Sequence, residues 1–425
     1  MALKRKGGRD AVLPIRSAAS AVQLEADERG NDYAAARDRG HAVDGRLQVL
    51  FVLLVVLAVV YVVGLVIPKG LFDGALHDSS GGEGYGLAWF FRDLGANLNA
   101  LVVTLSGAVP ESGSAAPLMI RFVVIAASGA SMALVGALYQ GSFRNGLVTP
   151  STLGVMAGCG LGMACWVAFF YDEGAGAVIF AGADQSSIGA ISYLSSSAGL
   201  ALCSFCGCLA VVGLVLAAVR LSRAGSGILM IITGQVIGGV MGAVVNTMRY
   251  YYVTVEPDGQ RAQMLMELQI SSFYRAFTVL DILVVGVPLA NTFTLAMRYR
   301  DQLTLLAFSE GEARSMGVEV RRLRAVVVAT STLLTAIVVS FCGHVGFIGF
   351  VVPHLARRLV GPHYAYLLPC SLLLGGVFVL AAYVLVFTLL GGGYVTMTGM
   401  FVSILGAAVF LVTVFRGKGG KRGRI

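Results

Sequence analysis

The side chains best placed for chemistry lie in one short stretch, SEGEARSMG, residues 309–317. Ser309 and Glu312 have capping-box spacing: the hydroxyl can accept from the Glu312 N–H while the carboxylate reaches back to the Ser309 N–H. Gly317 is placed to end the same helix in a left-handed cap. Glu310, Glu312 and Arg314 then occupy about two turns of helix. The chemistry on offer is ionic and hydrogen-bonding recognition, not bond making. A helix this short is unstable alone and needs a partner or the membrane surface to hold it. A second short turn through Arg321, Arg322 and Arg324 leads into the next span; a structured loop with basic anchors is the plainer alternative.

Covalent chemistry finds little to work with. The sequence holds no GxxxxGK[ST] phosphate loop, no His-Glu-x-x-His metal motif, no pair of membrane aspartates and no nucleophile elbow. The seven cysteines (159, 165, 203, 206, 208, 342 and 370) all fall in apolar runs. Cys203, Cys206 and Cys208 do not share one helix face and have no fourth ligand near, so packing is predicted rather than a metal site or disulfide. The expectation is a chain that is not an enzyme and carries no metal or cofactor of its own.

Membrane-spanning helices must position these groups. Of 425 residues, 57% are hydrophobic and 13% charged, with 55 glycines and a mean hydropathy of +0.81. A soluble domain carries about 25% charged residues, and glycine is frequent in membrane helices. Ten spans are predicted: 47–67, 119–139, 153–171, 198–219, 228–250, 278–297, 325–342, 346–360, 364–390 and 396–414. The eighth is short for a crossing of ~30 Å and must be partial or buried among neighbours. With residues 1–46 placed inside, 25 of the 31 Lys/Arg fall in inside segments and six outside, while the acidic residues split evenly. A bias confined to Lys/Arg is what the positive-inside rule expects. Both termini and residues 309–317 are then cytoplasmic.

The net charge of +8 is spread over short loops rather than one face, so no nucleic-acid partner is expected. The domain plan is a cytoplasmic tail 1–46, with a short helix near 18–36, then a membrane domain 47–415 and a basic tail 416–425. The membrane domain includes a long outside segment, 68–118, whose stretch 94–109 is read as a helix lying against the membrane, and a polar inside segment at about 303–324. No cleavable signal peptide is expected, because a polar tail without a cleavage site precedes the first long apolar run.

A second inside connection, residues 136–162, reads GALYQGSFRNGLVTPSTLGVMAGCGLG. Gln140, Arg144, Asn145 and Thr149-Pro150 interrupt two apolar runs there. Non-helical backbone at such depth is tolerated only where protein buries it or where it lines a cavity. Gly154 and Gly158, and Gly234, Gly238 and Gly242, recur at every fourth residue, which lets helix backbones approach closely in lipid. Packing is predicted for them, with lining of a pathway as the alternative.

GALYQGSFRNGLVTPSTLGVMAG resembles the signature of the FecCD-type (BtuC-like) permeases, membrane subunits of ABC importers for iron-siderophores, haem and vitamin B12. SEGEARSMGVEVRRLR, followed by GHVGFIGFVVPHLARRLVGPHYAYLLPCSLLLGG, is similar to the same family's most diagnostic half. The likeness runs from Met119 to Phe415. It implies an all-α polytopic membrane protein with ten transmembrane helices in the type II ABC importer permease fold. It implies a homodimer, or a pairing with a paralogous permease, around a central pathway lined by the fifth and tenth spans. It implies two cytoplasmic ATP-binding-cassette ATPase subunits, which bind the ATP and Mg, and an extracytoplasmic substrate-binding protein. Ser309, Glu310, Glu312, Ala313, Arg314 and Gly317 would form the ATPase-coupling surface. Arg121 would dock the binding protein, and Ser226 and Gly227 would form the cytoplasmic gate. Gln140, Arg144, Asn145, Pro150, Gly154, Gly349, Pro353, His354 and Arg357 are motif positions with structural roles.

Three places depart from the family pattern. Gly146 stands where a proline usually follows the FRN triplet, and His344 where a proline usually precedes the IGF segment. The tenth span opens GGGYVTMTGMFVSILG, without the usual Arg and ELPVG-like run, so the second docking Arg is missing. His344 lies near the outer surface, where an iron or haem ligand is conceivable and a solvated loop residue is the plainer reading. The function implied is translocation of an iron-siderophore or haem, with cobalamin less favoured, across a bacterial cytoplasmic membrane, driven by ATP hydrolysed on a separate subunit. Ion-coupled secondary transport is the alternative. It needs intramembrane ionisable groups, and Asp281, near a span end, is the one candidate.

Overall fold

The computed structural model describes residues 45–65, 115–171, 190–221, 227–255, 260–269, 273, 277, 279–306, 310–343, 345–390 and 398–419. The helices expected near 18–36 and 94–109, and residues Ser226, Ser309 and His344, lie outside them. The chain divides into two compact units, Met1–Val49 and Leu50–Ile425. Of the first, the opening turn of α1 is described.

All regular structure among the described residues is helical. The helices are α1 (Gly45–Leu65), α2 (Ala115–Ser142), α3 (Val155–Phe170), α4 (Ala190–Leu221), α5 (Gly227–Val255), α6 (Gln260–Gln269) and α7 (Val279–Arg298). They continue with α8 (Arg300–Leu305), α9 (Glu310–Ser315), α10 (Val320–Cys342), α11 (Ile348–Val360), α12 (Tyr364–Leu390) and α13 (Thr398–Gly419). Seven of these, α1, α2, α4, α5, α7, α10 and α12, are long and apolar enough to cross a membrane. α3 and α13 are shorter apolar helices, and α11 has 13 residues. Each span predicted from sequence falls on one of these ten helices.

Two starts differ from the sequence reading by five residues or more. α10 begins at Val320 rather than 325, so Arg321, Arg322 and Arg324 share its opening turns instead of forming a separate turn. The reason is amphipathic: Val320 and Leu323 are buried while Arg321 and Arg322 are exposed, so the helix can start early without burying charge. α4 begins at Ala190 rather than 198, through the polar run Ser195–Ser197.

α2 is the centre of the bundle and packs on α7, α10, α11 and α12. Small residues let it do so. A Cβ added at Gly129 would meet the Gly375 carbonyl of α12, and one added at Gly136 the Gly349 carbonyl of α11. α3 lies as closely on α4, where Gly158 and Gly162 face the backbone at Gly207 and Cys203. Contacts this close replace the hydrophobic drive that lipid does not supply between helices. Hydroxyls inside the bundle turn back on their own helices: Ser128 donates to the Ile125 carbonyl at 2.7 Å and Ser131 to that of Ala127 at 2.7 Å.

Candidate coupling surface and the latch behind it

α9 is a six-residue helix, and its end shows why so short a piece holds its shape. Gly317 takes φ +86, the left-handed region open to glycine. Its N–H donates to the Arg314 carbonyl at 3.0 Å, and the Val318 N–H to that of Ala313 at 3.0 Å. The two bonds make a Schellman cap, and the buried Ala313 and Val318 supply the apolar contact that goes with it. Glu312 and Arg314 are exposed, on the side away from Ala313. Glu310 opens the helix. A groove of about 780 Å³ runs beside it, lined by Arg314, Gly317, Val318, Glu319, Arg321 and Arg322. Arg322 and Glu319 pair across it at 3.8 Å, both exposed. The surface therefore presents a capped helix and a mostly basic groove.

Behind this surface, the two motif blocks read from sequence meet. Pro353 sits inside α11 and has no N–H, so the Gly349 carbonyl four residues earlier loses its intrahelical donor. The Gln140 Nε2 of α2 takes that place, donating to Gly349 O at 3.2 Å and to Phe350 O at 3.4 Å. The Gln140 Oε1 in turn accepts from Arg357 Nη1. Tyr364, opening α12, donates from Oη to the Ala137 carbonyl at 3.4 Å, and its N–H reaches Thr304 Oγ1 of α8 at 3.3 Å. Gln140, Gly349, Pro353 and Arg357 are thus one device, in which a proline opens a carbonyl and a neighbouring helix closes it. Gly136 lets the two backbones come near enough.

Residues 143–154 link α2 to α3 without regular structure. Arg144 stands at φ 51, a conformation uncommon outside glycine. Asn145 Oδ1 accepts from the Leu147 N–H at 3.0 Å, an Asx turn. Thr152 Oγ1 accepts from the Thr149 N–H at 2.8 Å and donates to the Thr149 carbonyl at 2.9 Å, closing the turn around Pro150. Gly154, at φ 75, then caps α3 between Val211 of α4 and Gly234 of α5. The polar break expected from sequence is buried in protein along Val148–Pro150.

Residues 116–416 match the FecCD transport family. The chain belongs to that family. It is 27% identical to the "Fe(3+)-citrate import system permease protein YfmD" of Bacillus subtilis (strain 168) over 296 residues, which is 68% of this chain and 77% of that protein. It is 28% identical to the "Cobalamin import system permease protein BtuC" of Halobacterium salinarum over 267 residues, 62% of this chain and 63% of that one. Its fold is that of a solved metal-chelate type ABC transporter in an inward-facing conformation, with a TM-score of 0.61 at 22% identity, covering 87% of this chain and 99% of that chain. A FecCD permease is a transport subunit that works with ATPase and substrate-binding components. Membership favours ATP-driven import over the ion-coupled alternative.

Other expected site residues of this FecCD permease lie apart from α9. Arg121 is half-buried near the start of α2, and its Nη1 reaches Tyr383 Oη of α12 at 3.5 Å. Tyr383 stands edge-on to Phe122 at 5.7 Å, so this arginine is set among aromatic rings rather than held out into solvent. Gly227 is the first residue of α5. His354 is half-buried on α11 beside Pro353. Cys208 is buried against Cys159 of α3, with Sγ to Sγ 2.7 Å, while Cys206 is exposed, so the cysteines of α4 do not share a face.

Sequence reasoning held one feature only as an alternative and missed a second. A cavity of about 460 Å³ opens between α3, α5, α6 and α10, lined by Ser151, Met156, Met163, Gln235, Gly239 and Gly242 among others. The glycine spacing of α5 was its signal. The second is Arg324, whose Nε donates to the Ser142 carbonyl at 3.1 Å. No local pattern separates it from Arg321 and Arg322.

Proposed function

We propose that this chain is the membrane-spanning permease subunit of an ABC importer that carries an iron-siderophore or haem, with cobalamin less favoured. ATP is hydrolysed on a separate subunit. Two ATP-binding-cassette ATPase subunits sit against the end of the bundle that bears α9, which is the cytoplasmic end. A second copy of the chain, or a paralogous permease, completes the pathway, and an extracytoplasmic binding protein delivers the cargo. Ser309, Glu310, Glu312, Ala313, Arg314 and Gly317 are the coupling surface, and Ser226 and Gly227 the gate at the start of α5. Arg121 keeps its place as the docking residue, with the added requirement that its guanidinium leave Tyr383 to meet an acidic partner.

The observation that carries the reading is α9 itself. A helix of six residues, too short to persist in isolation, is capped at Gly317 and presents charge outward beside a basic groove. It is built for something to press on. The experiment is site-directed labelling. Glu312→Cys should react with a membrane-impermeant maleimide in inside-out vesicles and stay unreactive in intact cells, against the parent chain as background. Modification from the exterior alone would remove the ATPase-driven mechanism.

A further inference from the structure

We propose that Arg324 is a positioning residue that passes movement of α9 to the end of α2, and through Gln140 to α11. This rests on the reading of α9 as the ATPase-coupling element.

The link from α9 to α10 has no slack. Val318 and Glu319 alone separate Gly317 from α10, and both are bonded: Val318 N–H to Ala313 O at 3.0 Å within the cap, and Leu323 N–H to Glu319 O at 3.0 Å. A push on α9 therefore reaches the first turns of α10. Arg321 and Arg322 are exposed there, but Arg324 is half-buried and turned onto α2. Its Nε meets the Ser142 carbonyl, one of the last-turn acceptors that a helix leaves without an internal donor. A fixed positive charge at that end also suits the helix dipole. The same guanidinium lies over the Phe143 ring, 5.5 Å from its centroid, and Phe143 stacks on Tyr139 at 6.0 Å. Tyr139 Oη shares a hydrogen bond of 2.9 Å with Thr332 Oγ1, farther along α10.

α10 thus holds α2 at two points, eight residues or about 12 Å apart along α10 and three residues apart along α2. Arg324 is the hold next to α9. Two residues before Ser142 stands Gln140, whose amide completes the Gly349 carbonyl and accepts from Arg357. α9, α10, Arg324, the end of α2 and α11 form one bonded chain. Spatial continuity alone does not demonstrate coupling, so the test reads the far end directly.

The test is hydrogen exchange of the chain assembled with its ATPase subunits, with and without ATP and vanadate. In the parent chain, trapping nucleotide should change exchange both at 310–319 and at 357–364. Arg324→Ala should keep the change at 310–319 and lose it at 357–364. Arg324→Lys keeps the charge and one hydrogen bond but not the planar face, so it should restore part of the far response. Phe143→Leu should lose part of it, and the last two variants serve if Arg324→Ala does not assemble. An undiminished response at 357–364 in Arg324→Ala overturns the proposal. So does an equal loss at both segments, which marks Arg324 as a support of the fold only. If nucleotide changes exchange nowhere in the parent chain, the coupling reading of α9 fails, and this inference with it.

Discussion

α2 and α5 carry the same sequence signal and put it to opposite uses. Both are long apolar helices with glycines at helical spacing. In α2, Gly129 and Gly136 each press on the backbone of a neighbour. Among the described glycines of α5 only Gly234 does, against the Thr152 carbonyl; Gly238 makes ordinary contact with Ala157 at 3.6 Å, and Gly239 and Gly242 have nothing within 4 Å. Those two border the cavity that also takes Gln235 and the Met156 and Met163 side chains. The missing Cβ lets backbones touch in one helix and leaves room in the other. Spacing states that side chains are absent; the facing helix decides what the absence is for.

The sharpest way to break this comparison is one substitution in each helix. Gly136→Leu forces α2 off α11 and should destabilise by at least the ~1–3 kcal/mol of an overpacked core. Loss of monodisperse protein, or a large fall in its unfolding midpoint in detergent, is the expected result. Gly242→Leu should leave that midpoint in place and slow uptake by filling the cavity; equal destabilisation by the two would erase the distinction. Next in size is Gln140→Leu, which strands the Gly349 carbonyl at a cost of about 1–3 kcal/mol. Faster amide exchange across α11, with α5 unaffected, is the signature. Gly317→Val places a branched side chain at φ +86, costing roughly 1–2 kcal/mol. Its effect should be local: weaker association with the ATPase subunits and an unchanged global midpoint. The smallest effect belongs to Glu312→Lys. An exposed ion pair is worth about 0.2–1 kcal/mol, so affinity for the ATPase subunits should fall a few-fold, and less at high salt.

Much of the fold was legible because lipid simplifies the grammar. Long apolar runs mark helices, and every predicted span falls on one. The helix end at Gly317 was legible too, since a glycine after Glu312 and Arg314 has one natural use. Partnerships were not. That Gln140 serves the carbonyl opened by Pro353 joins residues 213 apart in number, and no window of sequence holds both. The start of α10 was misjudged because three arginines look like a loop until Val320 and Leu323 are seen to be buried beneath them. Arg121 carried a docking expectation from the family resemblance, and its contact with Tyr383 depends on α12, laid down 262 residues later.

α11 also bears on how the polypeptide enters a bilayer. Its 13 residues extend about 20 Å, well under the ~30 Å hydrocarbon thickness. Its proline leaves a bare carbonyl in the first turn, and two guanidinium groups crowd its far end. Offered to the translocon by itself, such a segment has no favourable release into acyl chains. Its partitioning waits on α2, synthesised some two hundred residues earlier, whose carboxamide covers the gap. Vectorial synthesis therefore lays down the receiving surface before the guest emerges.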